Sequence, residues 1–339
     1  MSSPQPLPIS GAPRLLPLVT LYLTERCNSR CVTCDYWRNG KVDMTLEAVE
    51  RWLPGFAELG TRVVLVSGGE PLLNPEWVQI TRRLKEQGLE LWLLTSGLAL
   101  AKHSSRVREL FDTVTVSLDG TCAATYAAIR GLDAFDKVCE GIAAATCLGS
   151  KVGVRVTVQR ANYRELAGFV DLARELGARQ VSFLAADVSN PHAFGRDVPE
   201  GFAGDIALRA EDLAVFREVL ETLEVERVAD FQSAFIAESP RKLRRILKYY
   251  TAVCGLGPFP EVRCNAPEFS AVIEADGQLR PCFFIPAPGA RAGADLRRAI
   301  DGPAMRLARG DIRAGRKAEC LRCVCSMWRD PGAVWGENS

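Results

Sequence analysis

Six short apolar segments, each followed by a stretch with helical character, constrain the fold of this chain more than any other feature of its sequence. Segments of this kind are typical of strands that are buried on both faces of a parallel sheet. Their alternation with helices predicts an α/β fold in which helices cover the sheet. Six units predict an open, partial (β/α)6 TIM barrel rather than a closed barrel of eight units. The predicted strands are Leu18–Thr24 and residues 62–67, 89–95, 113–117, 153–158 and 180–184.

Helical patterns lie between these strands and after them. They cover residues 74–87, 101–110, 135–148, 162–176, 209–225 and 240–250, and Asp43 or Thr45 is expected to cap an earlier helix. Residues 187–205 read as a long loop, and loops of this length within compact domains are often functional. The helix at 240–250 is strongly basic, which indicates either a solvated face or a contact with an acidic substrate or partner.

Cys27, Cys31 and Cys34 form a C-x3-C-x2-C array directly after the first predicted strand. Parallel sheets place their functional sites at the carboxyl ends of their strands, which is where this array lies. Three thiolates are one fewer than a closed zinc site or an ordinary four-iron cluster requires. A loop with three cysteines can therefore hold a four-iron cluster that keeps one iron open to another ligand. The residues alone also allow half of a zinc site or a set of disulfide partners.

Polar loops follow the second, third and fourth predicted strands, at the same end of the sheet as the cysteine array. Glycine lets a ligand approach the backbone closely, and a carboxylate accepts hydrogen bonds from an ammonium group. Each loop taken alone is also an ordinary turn of glycine, serine and aspartate. Several such loops at one end of one sheet favour a ligand site there. The candidate residues are Gly68, Gly69, Glu70, Ser96, Ser117 and Asp119.

The cysteine array after a first strand resembles the signature of the radical S-adenosylmethionine (SAM) enzymes. The resemblance implies that the open iron of a three-cysteine [4Fe–4S] cluster binds SAM, and that an electron from the cluster cleaves SAM to a 5′-deoxyadenosyl radical. In this family the radical abstracts hydrogen from a substrate. Residues 68–71 resemble the GGEP motif, which holds the SAM amino group, and residues 117–120 resemble the S-x-D-G motif near the SAM ribose and methionine end.

Three further residues are expected to contact SAM. Arg130 follows the 117–120 loop at a spacing that is shared with the family. Arg155, also a candidate catalytic residue, lies on the fifth predicted strand, where its guanidinium needs an anionic partner: the SAM carboxylate or a nearby acidic side chain. The family usually has an aromatic residue against the adenine just before the third cysteine. Thr33 stands there in this chain, so Tyr36 or Trp37 is expected to supply the adenine contact.

A second group of cysteines lies near the end of the chain. Its members are Cys264, Cys282, Cys320 and Cys323. The first two flank a predicted hairpin of residues 271–274 and 278–281, and the last two form a C-x2-C pair. The residues alone suit a zinc ribbon or an iron–sulfur cluster. The spacing around Gly277 resembles the twitch domain, the short form of the SPASM domain of radical SAM enzymes, which implies one auxiliary [4Fe–4S] cluster. Cys325 is then a spare or alternative ligand.

Cys254 is a further candidate catalytic residue, in a glycine-flanked stretch ahead of the second cysteine group. Three roles are open to it: an alternative cluster ligand, a hydrogen donor to a substrate radical, or an inert thiol. The last is the most common role of a single cysteine.

Length and charge limit the remaining possibilities. The chain has 339 residues and a formal net charge of +1, which gives no indication of a general nucleic-acid surface. We expect neither a signal peptide nor a membrane span, and therefore a cytoplasmic protein whose cysteines serve metal or redox sites. The predicted divisions are a flexible lead-in (1–14), a radical SAM partial barrel (15–235), a helical linker (236–262), a small twitch/SPASM-like domain of a β-hairpin plus helix (263–328) and a tail (329–339).

Together these features predict a radical SAM oxidoreductase or epimerase. Peptide-modifying members of the family often carry an N-terminal recognition domain, for which we see no room here. We therefore expect a small polar substrate, of the sugar or aminocyclitol type, that is dehydrogenated or epimerised. The alternatives are epimerisation or cross-linking of a ribosomally made peptide and, outside enzymes, a zinc or iron–sulfur binding module. The expected partners are the substrate and a reductant such as flavodoxin or ferredoxin, with no nucleic acid and no membrane.

Overall fold

The structure, a computed structural model, describes residues 15–190, 193–196 and 204–330. The predicted lead-in at 1–14 lies outside these residues, as do residues 331–339 of the predicted tail and part of the 187–205 loop. Within the described part of the chain, no helix combines the length and the apolarity needed to cross a membrane.

One sheet organises the described residues. Its strands are β1 (Leu18–Thr24), β2 (Val63–Gly68), β3 (Glu90–Thr95), β4 (Thr113–Ser117), β5 (Val152–Val158), β6 (Gln180–Ala185), β7 (Ser270–Ile273) and β8 (Leu279–Arg280). The strand order is β6-β5-β4-β3-β2-β1-β7-β8, and β1 to β6 run parallel. Each of these six strands begins and ends within one residue of its predicted bounds. The predicted α/β partial barrel is confirmed.

Helices follow the strands and continue after the sixth. They are α1 (Tyr36–Asn39), α2 (Leu46–Glu58), α3 (Trp77–Glu86), α4 (Leu100–Leu110), α5 (Ala123–Arg130), α6 (Phe135–Cys147), α7 (Leu166–Glu175), α8 (Asp212–Glu226), α9 (Val228–Gln232), α10 (Pro240–Val253), α11 (Leu296–Ile300), α12 (Pro303–Arg313) and α13 (Ala318–Leu321). Two short 3-10 turns lie at Pro71–Leu73 and Ala266–Glu268. α1, α5 and α9 had no counterpart in the predicted pattern, and the one helix predicted for the C-terminal domain corresponds to three, α11 to α13.

The two faces of the sheet differ in their burial. Alternate side chains on the strands, such as Val116 and Val156, are fully buried in the core beneath the helices. The intervening side chains on β4 and β5, which include Ser117, Arg155 and Thr157, are only half-buried. Because successive side chains of a strand point to opposite faces, these residues line the inner face of the barrel. That face has polar groups available to a ligand.

Two predicted helices begin later than expected because an asparagine anchors the preceding loop. Asn74 does not start α3; its amide Nδ2 donates hydrogen bonds to the carbonyl oxygens of Leu23 (2.6 Å) and Met44 (2.8 Å). Asn162 does not start α7; its Nδ2 donates to the carbonyl oxygen of Asp119 (3.0 Å). Asparagine side chains commonly compete in this way with helix formation. Both loops are thereby fixed at the carboxyl end of the sheet.

The predicted hairpin of the C-terminal region is present, but it is part of the main sheet. β7 and β8 pair antiparallel, and β7 also pairs parallel with β1, from Leu18 opposite Ser270 to Leu21 opposite Ile273. Cys282 follows β8 by two residues. The pairing of β7 with β1 therefore places the hairpin that precedes Cys282 next to the first strand.

Candidate active site and auxiliary cysteine site

The first cysteine loop is held in place by the end of α5. The backbone N–H of Arg30 donates to the carbonyl oxygen of Arg130 (2.9 Å), and that of Val32 donates to Ile129 (3.0 Å). Gly131 follows with a φ of 72°, and a Cβ at this position would lie 2.3 Å from the carbonyl oxygen of Arg30. A glycine is needed here for both reasons. The loop therefore docks by main-chain contacts, which leaves its thiols available.

The three thiols of this loop lie close enough to affect one another electrostatically. Burial raises the pKa of the Cys27 thiol to about 11 and that of Cys34 to about 12, and the charge of Cys31 raises both further. Burial also raises the pKa of Cys31, while the nearby guanidinium of Arg130 lowers it. Thiolates in such a site become favourable when a metal or another positive group compensates their charge. The structure thus gathers the predicted trio beside a cation.

Arg130 and Asp119 form a buried ion pair at this loop. Arg130 Nη1 lies 3.1 Å from Asp119 Oδ2, and Asp119 Oδ1 accepts a hydrogen bond from the backbone N–H of Thr157 (2.7 Å). Arg130 Nε is buried and has no hydrogen-bond partner among the described residues. The pair connects the β4 loop, β5 and the cysteine loop. The predicted contact of both residues with SAM stays a prediction.

Glu70 is fully buried, and its carboxylate is occupied by protein groups. It accepts hydrogen bonds from Thr95 Oγ1 (2.8 Å), the backbone N–H of Ser96 (2.7 Å) and that of Leu72 (3.2 Å). Ser96 Oγ in turn donates to Asn28 Oδ1 (3.1 Å), next to Cys27. Glu70 therefore holds the loops after β2 and β3 together, and Ser96 connects the loop after β3 to the cysteine loop.

Gly68 and Gly69 pass very close to the cysteine loop. Gly68 has a φ of 128°, and a Cβ on Gly69 would lie 2.2 Å from the carbonyl oxygen of Arg26. Only glycine fits this approach. The close passage places the backbone of residues 68–69 against the loop that carries the cysteines, and the contact with the SAM amino group stays a prediction.

Ser117 and Arg155 are neighbours across the β4–β5 register. The Arg155 guanidinium makes no hydrogen bond or ion pair with any described residue, and its buried Nε lacks a partner among them, although its charge lowers the pKa of the Cys325 thiol. The alternative of a salt bridge to a nearby acidic side chain is therefore not realised in the described part of the chain. An unpaired, half-buried guanidinium is suited to an anionic ligand such as a carboxylate.

Tyr36 lies at the junction of the cysteine loop and the C-terminal hairpin. Its hydroxyl donates to Glu274 Oε1 (3.3 Å), and its ring packs edge-on against Tyr22 at a centroid distance of 5.7 Å. Trp37 Nε1 is buried, and no group in the described part of the chain forms a hydrogen bond with it. Which of these rings contacts adenine stays a prediction.

The second cysteine group is also gathered, and it includes Cys325. Burial raises the pKa of Cys282 to about 12 and that of Cys320 to about 11, and the charge of Cys264 raises both. Burial raises the pKa of Cys323 as well, and the charges of Cys325, Cys282 and Cys264 add to this effect. Five thiols therefore surround one region, one more than a tetrahedral zinc site or a four-iron cluster uses.

The thiols are spread more widely than the ligands of a single ion. In residues 15–190, 193–196 and 204–330, no three His, Cys, Asp or Glu side chains converge closely enough to hold one metal ion. The donor set at both sites is thiol-rich, which is the chemistry that iron–sulfur clusters use. We therefore treat both groups as proposed cluster sites.

Residues between β6 and α8 connect the two cysteine regions, and the sequence did not single them out. Arg196 Nη1 donates to the carbonyl oxygens of Thr33 (3.4 Å) and Asp187 (2.9 Å). Asn190 Nδ2 donates to the carbonyl oxygen of Phe284 (3.1 Å), on the auxiliary side. The only sequence signal was the polar composition of the 187–205 loop, which does not identify individual partners.

Tyr22 is a second residue that sequence reasoning missed. Its hydroxyl is fully buried, so its pKa is raised by desolvation, and the charges of Glu274, Cys34 and Cys282 raise it further. One side chain thus lies within electrostatic reach of a cysteine from each group. On a buried strand it read as an ordinary core residue.

Cys254 is placed by a different set of neighbours. Its thiol donates to the carbonyl oxygen of Leu208 (3.3 Å), and its pKa is raised by burial and by the charges of Glu211 and Asp212. Neither contact involves a proposed cluster ligand. Its role as a hydrogen donor stays a prediction.

Comparison with known proteins agrees with this geometry. Residues 21–173 match the model of the Radical SAM superfamily. A probable GTP 3′,8-cyclase of Saccharolobus solfataricus is 27% identical over 277 residues, which cover 77% of this chain and 81% of that protein. The PqqA peptide cyclase of Methylorubrum populi is 35% identical over 185 residues, which cover 53% of this chain and 48% of that protein.

The fold extends beyond the matched segment. The crystal structure of Streptococcus suis SuiB bound to S-adenosylmethionine superposes with a TM-score of 0.65 at 17% identity, over 92% of this chain and 72% of that one. SuiB has also been solved with its precursor peptide SuiA. At this identity the likeness concerns the fold, and it includes the cysteine-rich C-terminal part.

Proposed function

Because residues 21–173 form a radical SAM domain, we propose that the protein is an enzyme that modifies a peptide by abstracting a hydrogen atom from a C–H bond. The observation that supports the choice of substrate is the 35% identity with a peptide cyclase over 185 residues. That match spans about half of the cyclase, so its activity is not transferred as a whole. The small hydroxylated metabolite that we expected from the sequence has less support from these relatives.

A second candidate substrate is a nucleoside triphosphate. The relatives named GTP 3′,8-cyclase match a longer part of the chain, 277 residues, although at the lower identity of 27%. Both relatives are cyclases, so bond formation after hydrogen abstraction is favoured over simple dehydrogenation or epimerisation.

Each group of residues in the site has a different proposed role. Cys27, Cys31 and Cys34 would hold a [4Fe–4S] cluster, which together with bound SAM supplies a radical able to remove hydrogen. The backbone of Gly68–Gly69 is proposed to bind the SAM amino group, and the Glu70 carboxylate holds the next turn of its own loop and the loop after β3 through three hydrogen bonds. Arg130 offsets the negative charge of the thiolates. Cys31 and Cys34 are half-buried, so the loop would shield one side of the cluster from water.

Arg155 is proposed to bind the SAM carboxylate, with Ser117 beside it. We expect Arg155→Ala to weaken SAM binding by about 10- to 100-fold, since a charge-assisted hydrogen bond contributes about 1.5–3 kcal/mol. Arg155→Lys should give a smaller loss, because it keeps the charge but not the forked geometry. Isothermal titration of SAM into the anaerobically reconstituted protein measures this effect.

The control for that measurement is Lys137→Ala, a change of an exposed lysine on α6. Lys137 belongs to neither proposed site, so this change should leave SAM affinity within about twofold, the range of an ordinary surface substitution. Equal SAM affinities for wild type and Arg155→Ala would reject the assignment.

One experiment separates the candidate substrates. Cells are grown in deuterated medium, and their extract is divided into a peptide fraction and a small-molecule fraction. Each fraction is incubated with reconstituted enzyme, SAM and dithionite, and deuterium in 5′-deoxyadenosine is measured by mass spectrometry. We expect transfer from the peptide fraction that disappears after protease treatment. Transfer from the small-molecule fraction or from deuterated GTP would overturn the peptide proposal.

The C-terminal group is proposed to bind one auxiliary [4Fe–4S] cluster through Cys264, Cys282, Cys320 and either Cys323 or Cys325. A reductant of the flavodoxin or ferredoxin class is proposed to supply electrons. We place the enzyme in the cytoplasm, where such donors and reduced thiols occur.

A further inference from the structure

The exposed side of α10 carries a stripe of basic residues that the proposed chemistry does not use. Arg241, Arg244, Arg245 and Lys248 recur at intervals of three and four residues and therefore share one face of the helix. Arg244 pairs with Glu224. Arg241 and Lys248 are exposed and make no ion pair within the described residues. This face of α10 therefore has at least two positive charges without acidic partners, although the net charge of the whole chain is only +1.

This stripe borders the auxiliary cysteine group. Arg245 Nη2 donates to the carbonyl oxygen of Pro260 (3.5 Å), and Phe259 packs against Tyr249 of α10 at 5.8 Å. The guanidinium of Arg322, which lies between Cys320 and Cys323 in the sequence, is placed over the ring of Phe259 at 5.6 Å. The charge of Lys242 on α10 acts on Cys325. The helix and the cysteine segment thus form one continuous surface.

Exposed apolar groups lie near the auxiliary cysteines in the sequence. Leu321 is 61% exposed and Trp328 is 43% exposed. The guanidinium of Arg263, next to Cys264, stacks over Trp328 at 3.9 Å. We name this surface the auxiliary face and define it by Arg241, Arg245, Lys248, Arg263, Leu321 and Arg322. Glu261 and Glu319 lie near it, so its five cations outnumber these two carboxylates.

We propose that the auxiliary face is the docking surface for a small, acidic electron-transfer protein of the flavodoxin class. This inference rests on the proposed auxiliary cluster. Redox encounters use small interfaces that are steered by opposite charges, and a cationic face with a few apolar side chains fits an acidic partner. One electron would leave the partner's reduced flavin and enter the iron–sulfur site, and no bond would form or break.

The position of the face favours a redox partner over an acidic segment of a substrate peptide. Arg263 and Arg322 of the face lie beside Cys264 and Cys323 in the sequence, whereas Gly68 and Gly69 of the proposed SAM site lie at the carboxyl end of β2. A redox partner needs to come near a metal site, while a reacting peptide has to reach the SAM groups.

The test is a charge reversal that avoids the residues with packing roles. Arg241→Glu/Lys248→Glu changes two exposed cations, and the matched control Lys102→Glu/Lys137→Glu changes two exposed lysines on α4 and α6 that have no ion pair within the described part of the chain. Reduced flavodoxin is mixed with each reconstituted enzyme in a stopped-flow instrument, and flavin oxidation is followed at low and high salt. Direct binding of oxidised flavodoxin is measured by titration.

We expect the Arg241→Glu/Lys248→Glu variant to accept electrons from flavodoxin at least about tenfold more slowly at low salt, with weaker binding and a flatter salt dependence. The control should match the wild type. Dithionite should support SAM cleavage in all three, which separates a docking defect from a failure of the radical SAM proposal. An unchanged flavodoxin rate, or a wild-type rate that does not fall with salt, would overturn the docking surface. Loss of peptide binding with normal flavodoxin oxidation would also overturn it and assign the face to the substrate.

Discussion

Replacing Cys34 by alanine is expected to lower reductive SAM cleavage by at least about 100-fold, since the loss of even an outer-shell partner of a metal site commonly costs 10- to 100-fold. The variant should also contain about four fewer irons per chain, the content of one cubane cluster. The physical reason is that a three-thiol site has no ligand to spare. The thiol of Cys34 is largely enclosed and interacts with both Cys31 and Cys27, so a water molecule is a poor replacement.

The matched control is Cys147→Ala. Cys147 is an exposed cysteine at the end of α6, so its substitution removes a thiol without touching either proposed site. Iron and sulfide analysis, electron paramagnetic resonance of the reduced protein and chromatography of 5′-deoxyadenosine provide three readouts. Full iron content and normal SAM cleavage in Cys34→Ala would reject the three-cysteine cluster.

The barrel was predictable because its signals are local. Buried parallel strands are runs of β-branched and apolar residues, and Leu18–Thr24 and Thr113–Ser117 coincide with their predicted bounds. The cysteine spacing and the polar loops are equally local, so their residues were identified before the fold was known. Helix starts were less predictable at Asn74 and Asn162, because their amides bind carbonyl groups that are distant in sequence.

The position of the auxiliary cysteines next to the first cysteine loop could not be predicted from local sequence patterns. The parallel pairing of β7 with β1 joins residues that lie about 250 positions apart, a contact that no sequence window contains. Arg196 and Asn190 depend on the same arrangement, since each donates to a carbonyl group of a different region. Tyr22 lies within electrostatic reach of both Cys34 and Cys282 because the hairpin pairs with the main sheet. Tertiary pairing, rather than composition, therefore placed the auxiliary thiols beside the first site.

Replacing Cys282 by alanine is expected to separate the two proposed clusters. Iron should fall from about eight to about four per chain, because one of two cubane sites is lost. Cys282 belongs to the hairpin, whereas the first cysteine loop is held by Arg130, Ile129 and the braces of Glu70, so the first site should still assemble. We therefore expect SAM binding and reductive SAM cleavage to persist within a few-fold, while formation of the modified peptide is lost.

Cys325, the fifth cysteine of the auxiliary group, allows a further test of which four thiols bind the cluster. Cys325 is gathered with the other four, because its charge raises the pKa of Cys323 and the charge of Cys264 raises its own pKa. If the site uses four ligands, Cys282→Ala should lose the cluster, whereas only one of Cys323→Ala and Cys325→Ala should do so, because the remaining thiol is a spare. Iron content and the paramagnetic signal of each variant identify the ligand. Zinc in place of iron in the wild type, or equal iron in Cys282→Ala and wild type, would exclude an auxiliary iron–sulfur cluster at this site.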